Sequence, residues 1–192
     1  MKVLKIVLWS LACAALLCAV ILWGYVLLNR DKGMKDEGLV LVEGGTGYER
    51  ETAAGSLAAA ASADTQVAGY SPSFAVDGDI ETYWEGNGAY PESFTVTLSK
   101  EAAIGRIVIR LNPIEIWGKR TMRFSVAASG DGETFREILP EAEYVFDWAE
   151  GNGTELDLTS EGIRAGFIRL IFTANSGAGG GQIAEIEIYE AE

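Results

Sequence analysis

Residues Ile6 to Leu28 form one apolar run without a single Asp, Glu, Lys or Arg, closed at once by Asn29, Arg30, Asp31 and Lys32. At about 1.5 Å of rise per residue a helix over this run spans roughly 34 Å, enough for a bilayer core of about 30 Å. A cleaved signal peptide is the competing reading. Its apolar region is only about 7–15 residues long and is followed by a small-residue cleavage site, which Leu27-Leu28-Asn29-Arg30 does not offer. Neither Ser10-Leu11-Ala12 before Cys13 nor Ala15-Leu16-Leu17 before Cys18 fits a lipoprotein signal. The expectation is therefore an uncleaved transmembrane signal anchor at 1–29, a tether of mixed charge with several glycines at 30–47, and one domain at 48–192.

A domain of that size holds a proper core. Its charge narrows what it meets. Of 15 Lys+Arg and 28 Asp+Glu, five bases and one acid fall in residues 1–35, so the rest carries ten bases against 27 acids, a net charge of −17. Such a surface repels phosphate backbones and anionic headgroups, which excludes nucleic acid as a natural partner. It suits neutral ligands, or acidic loops that hold a hard cation. The chain has no histidine, and its two cysteines, Cys13 and Cys18, both sit in the apolar run. The domain thus has no disulfide framework and lacks the side chains for most nucleophilic and acid–base arrangements. Orientation is close to a tie by charge: Lys2 and Lys5 precede the run, while Arg30, Lys32 and Lys35 follow it.

Past the tether the pattern is that of strands. Phe94 to Leu98 alternates with period two; Ile104 to Leu111 places Ile107, Ile109 and Leu111 on one face; Met122 to Ser129 does the same with Met122, Phe124 and Val126. Phe167 to Thr173 and Ile183 to Tyr189 repeat the device, and Ala58 to Ala61, flanked by Gly55, Ser56, Ser62 and Asp64, reads as a short extended segment. Turn signals lie between them at Asn112-Pro113, Gly130-Asp131-Gly132, Gly151-Asn152-Gly153 and Gly177 to Gly181. No sustained 3.6-residue period appears after residue 30. The fold class that follows is all-β, an antiparallel sandwich.

The string Ala75-Val76-Asp77-Gly78-Asp79-Ile80-Glu81-Thr82-Tyr83-Trp84-Glu85 resembles the opening signature of the discoidin domain, also called the coagulation factor 5/8 type C domain. Phe94 to Leu98, Phe124 to Gly132, Gly166 to Phe172 and Ile183 to Ile188 resemble later pieces of the same domain, in the right order. Trp117 to Thr121, Tyr144 to Phe146 and Thr173 to Asn175 look closest to the discoidin-like modules attached to bacterial polysaccharide-degrading enzymes. The resemblance covers about residues 48–190. It implies a jelly-roll β-sandwich of galactose-binding-like type, non-catalytic, displayed outside the cell, with ligands held by loops at one end. Bacterial members mostly bind glycans; animal members also bind lipid or protein.

Two clusters carry chemistry. Asp77-Gly-Asp79 and Thr82 offer oxygen ligands around a glycine turn, as calcium requires. In the related modules a structural cation sits here, joined by a Glu near the start of the last strand, and Glu185 matches that position. The competing reading is a turn in which Asp77 and Thr82 merely cap backbone amides. The second cluster is Asn112 to Arg120, whose Glu115, Trp117 and Arg120 supply an aromatic face and charged hydrogen-bonders suited to a sugar ring. Glu85 and Tyr90 extend it, and Asn175 and Gln182, on either side of a glycine run, close it. Against this, Trp117 can serve as a plug over the end of the sandwich, with Arg120 paired to an acid. Ser176 to Gly181 lacks the aromatic that enzyme-attached modules often carry there.

The function expected is a non-enzymatic, membrane-anchored extracellular module that holds a surface glycan or cell-wall polysaccharide, with a structural calcium ion and the bilayer as its other partner. A membrane-tethered protein-docking or adhesion domain using the same loops is the alternative.

Overall fold

The computed structural model describes residues 55–192. The anchor at 1–29, the tether at 30–47 and the first residues of the domain lie outside the described residues. Among the described residues no helix is long and apolar enough to cross a membrane.

Nine strands alternate with short 3-10 turns: β1 (Ala58–Ala63), β2 (Trp84–Glu85), β3 (Glu92–Arg110), β4 (Arg120–Ser129), β5 (Arg136–Phe146), β6 (Gly153–Asp157), β7 (Arg164–Asn175), β8 (Gln182–Ile183) and β9 (Glu185–Glu190). All pairings are antiparallel. One layer runs β1-β3-β7-β4-β5, and the second pairs β6 and β9 with the far half of β3. This is the all-β antiparallel sandwich expected from the alternation.

β3 is where the two layers join. Phe94 to Leu98 and Ile104 to Leu111 read as two strands, yet they are one. The linker Ser99-Lys100-Glu101-Ala102-Ala103 contains no glycine or proline to turn the chain, so it bends instead. Its register against β7 shifts between Thr97 and Ala102, and Ser99 to Glu101 are exposed at the crossing. In the first half Phe94, Val96 and Leu98 face inward; in the second Ile104, Ile107, Ile109 and Leu111 do.

Between the layers Trp84 sits 4.8 Å from the Phe94 ring and 5.6 Å from Phe172, while Phe172 lies 5.2 Å from Phe124. All four are fully buried. Truncating any of them to alanine is worth roughly 3–5 kcal/mol. The Trp84 indole N–H donates to the Thr65 carbonyl at 3.1 Å, so its polar atom is satisfied in the core.

Two strands escape the alternation rule. β5 is an edge strand whose Glu137, Glu141 and Glu143 are exposed, and Pro140 sits where its register against β4 steps. Proline is tolerated at such an edge bulge because no ladder N–H is needed there. β6 buries only Leu156 of its five residues.

Candidate functional site

The short β2–β8 ladder places Glu85 directly opposite Gln182 at one end of the sandwich. Strand alternation turns Trp84 into the core, which leaves Tyr83 and Glu85 facing the other way. The connection from β3 to β4 makes a 3-10 turn at Glu115–Trp117, then reverses at Gly118 with φ of 60°, a conformation that favours glycine, and enters β4 at Arg120.

That reversal lays Trp117 edge-on against Tyr83, ring centroids 4.7 Å apart, and Tyr83 in turn packs on Tyr70 at 4.5 Å. The Arg120 guanidinium lies 4.9 Å above the Trp117 ring. Its Nη2 donates to the Trp117 carbonyl and its Nη1 to Gln182 Oε1. Gln182 Nε2 then donates to Glu85 Oε2 at 3.0 Å, and Asn175 Nδ2 donates to the Gly180 carbonyl at 2.8 Å and reaches Gln182 Oε1 at 3.5 Å. One hydrogen-bonded chain, Arg120–Gln182–Glu85, therefore backs an aromatic wall.

Arg120 is only 7% exposed. Burial draws its pKa down, and the charge of Glu85 works in the other direction. The Tyr83 hydroxyl is held well above its ordinary range, first by burial and then by Tyr70 and Glu85.

The structure thus brings Glu85, Trp117, Arg120 and Asn175 to one end. Trp117 is half-buried and packs against the core, as the plug reading has it, while Arg120 pairs with an amide and a carbonyl rather than directly with an acid. Glu115 stands exposed on its own turn, where its carbonyl closes the loop to Gly118. Tyr90 is packed against the core, and its hydroxyl is buried without a hydrogen-bond partner among the described residues. Burial, then the nearby Glu92 and Glu85, push that hydroxyl up to about 12.

The chief organiser was not among the residues singled out from sequence. Glu92, 0% exposed, accepts from Thr65 Oγ1 at 2.8 Å, Gly88 N at 2.6 Å and Gly181 N at 2.8 Å. It ties the 85–91 loop to the glycine run. Its signal was available: Glu92 is in phase with Phe94, Val96 and Leu98, so a strand reading puts this carboxylate inside.

The glycine run is small for a steric reason. A Cβ on Gly180 would collide with the Gly86 backbone, one on Gly177 would lie 2.7 Å from Arg120 Nε, and one on Gly181 would lie 2.8 Å from the Phe172 ring. Gly179 has open space. Gly180→Ala is expected to lower stability by roughly 1–3 kcal/mol, as overpacking does, while Gly179→Ala leaves the melting temperature within a degree or so. Equal effects from the two would show that the run serves flexibility instead.

The second cluster lies on the turn leading into β2. Gly78, with φ of 80°, allows the chain to double back so that Thr82 Oγ1 meets three oxygens: Asp77 Oδ2 at 2.9 Å, the Asp79 carbonyl at 3.0 Å and the Phe74 carbonyl at 3.5 Å. One hydroxyl hydrogen cannot satisfy three acceptors. Glu185, at the start of β9 and 8% exposed, adds a buried Oε1 with no hydrogen-bond partner among the described residues. Burial, then the charge of Asp77, raise its carboxyl to about 8, while the Gly78 amide acts in the opposite sense.

The capping contacts of the alternative reading are present as well: Asp77 Oδ1 accepts from Asp79 N at 2.9 Å, and Asp79 Oδ1 from Glu81 N at 3.0 Å. Asp79 therefore turns its carbonyl, and not its carboxylate, toward Thr82. Among the described residues no group of three or more His, Cys, Asp or Glu side chains is arranged for a metal. The oxygens gathered here are two carboxylates, a hydroxyl and two carbonyls. Such a surplus of hard acceptors fits a calcium-type ion.

Many solved structures are similar to this chain, among them three carbohydrate-binding modules. A pectin-binding carbohydrate-binding module matches with a TM-score of 0.59 and 27% identity over 71% of this chain and 94% of its own. The family 32 module of Clostridium perfringens NanJ, solved with galactose, matches with a TM-score of 0.54 and 27% identity over 68% and 92%. The family 32 module of AlyQ, solved with 4,5-unsaturated mannuronic acid, shares the fold with a TM-score of 0.56 at 21% identity over 70% and 96%. No curated relative matches the chain. The F5/8 type C domain model matches residues 58–186, most of the described residues, and the chain belongs to that family.

Proposed function

We propose that this chain is a non-catalytic carbohydrate-binding module, anchored by residues 6–28 with its sandwich outside the cell, that holds a surface glycan or cell-wall polysaccharide. The observation that carries the reading is the aromatic wall of Trp117 and Tyr83 backed by the Arg120–Gln182–Glu85 chain. An aromatic face takes the C–H surface of a sugar, and a fixed carboxylate accepts from its hydroxyls. The sugar-bound modules from Clostridium perfringens and AlyQ add support from related or like folds. Against catalysis stand the absence of histidine and the role of Glu85 as a held acceptor.

Calcium belongs to the same proposal. Asp77, Thr82 and Glu185, with the Phe74 and Asp79 carbonyls, would hold it. The ion would supply charge compensation, locking the turn that delivers Tyr83 and Glu85.

A protein-docking reading has one observation of its own. Of the exposed large apolar residues among those described, Ile114, Ile116 and Trp148 lie at two neighbouring turns, beside a Lys119–Asp147 pair at 3.0 Å, and Val145 lies near the end of β5. Salt separates the two. Capture on a polysaccharide by the full-length chain is expected to persist from low to high salt, whereas docking of this acidic domain to a basic partner would fade as the charges are screened.

A further inference from the structure

We infer that the loop end selects neutral sugars and rejects uronates, with Glu85 as the residue that sets this choice. The inference rests on the carbohydrate reading above and names its ligand class.

Recognition of a sugar carboxylate needs a cation with donors to spare. The segments that build this end, residues 65–91, 112–120 and 173–184, contain only two bases, Lys119 and Arg120. Neither is without a partner. Arg120 is buried, and its two terminal nitrogens donate to Gln182 Oε1 and to the Trp117 carbonyl. Its Nε faces Gly177, close enough that a Cβ there would collide with it. Lys119 is paired at 3.0 Å with Asp147, next to Trp148 in the chain.

The acids are differently placed. Glu85 has one oxygen, Oε2, fixed by Gln182, and its position opposite Gln182 faces it away from the core. Glu115 is exposed on the same turn as Trp117. A calcium ion held by Asp77 and Glu185 would be offset by those two carboxylates, so it leaves the charge of Glu85 and Glu115 standing. A sugar hydroxyl gains from Glu85 as an acceptor. A uronate carboxylate laid against the same wall meets the Glu85 carboxylate, and the one guanidinium nearby is already committed to the Gln182 and Trp117 acceptors.

The test uses the full-length chain and matched oligosaccharides, neutral and uronate, of galacto, gluco and manno configuration, with affinities measured at low and high salt. The expected result is a neutral ligand bound at least tenfold more tightly than its uronate counterpart, about 1.4 kcal/mol. The ratio should narrow in Glu85→Gln. In the wild type it should narrow as the screening length falls from roughly 10 Å at 0.1 M salt to 3 Å at 1 M, which keeps the test valid if the variant fails to fold. A uronate bound equally or better, and lost with Trp117→Ala, would overturn this inference and leave the carbohydrate reading intact. No binding in either series by a folded chain would overturn both.

Discussion

Calcium is expected to raise the melting temperature of this chain by several degrees, and chelator to reverse it. An ion present at about a hundred times its dissociation constant stabilises by about 2.7 kcal/mol. For a domain of this size that corresponds to roughly 5–10 °C. The physical source is the pair Asp77, on the turn, and Glu185, at the start of β9, whose buried Oε1 has no hydrogen-bond partner among the described residues.

The pH dependence follows with a definite sign. The Glu185 carboxyl stands at about 8 when folded against 4.5 for an ordinary one, so without calcium the folded state holds a proton that the unfolded chain gives up. Stability in chelator therefore falls as pH rises from about 4.5 to about 8, then levels off. Calcium displaces that proton, so its stabilising increment grows across the same window. Glu185→Gln should remove both the slope and the calcium response. Identical melting curves with calcium and with chelator, at pH 8, would reject the cation site.

The second large effect concerns Arg120. Arg120→Met is expected to lower stability by roughly 2–4 kcal/mol even without ligand, since it strands two acceptors at about 1–3 kcal/mol each. Those acceptors are Gln182 Oε1 and the Trp117 carbonyl. Arg120→Lys should recover little, because a single ammonium cannot reproduce the planar fork that donates to both while stacking on the Trp117 ring. Lys119→Ala is the internal control. Lys119 is 65% exposed and paired with Asp147, and such surface pairs are worth about 0–1 kcal/mol. A thermal melt of the three variants decides it. An Arg120→Met chain as stable as the wild type would mean that the guanidinium serves ligand alone.

What could be read from the sequence was whatever repeats locally. Phe94, Val96, Leu98, Ile107, Ile109, Met122 and Phe124 are inward because a half-buried strand alternates, and the turn dipeptides fall between strands for equally local reasons. β5 was hidden because an exposed edge strand with Pro140 has little apolar phase to display. Trp117 and Arg120 were legible as chemistry on one loop. Glu85 and Gln182 were named beside them, but the hydrogen-bonded chain that joins them was not legible, because Gln182 and Glu85 meet through a ladder that joins positions 97 residues apart. The glycine run shows the limit most plainly. By composition it is a loop short of an aromatic; in the fold, Gly177 and Gly180 are small because Arg120 and Gly86 occupy the space beside them.

The most direct test is a glycan and polysaccharide array probed in calcium with the full-length chain beside its Trp117→Ala variant. The account predicts reproducible binding to a defined set of sugars by the first and its loss, by tenfold or more, in a folded second. Silence across the array from a folded wild-type chain, or hits that Trp117→Ala retains unchanged, would contradict a carbohydrate site at this end of the sandwich.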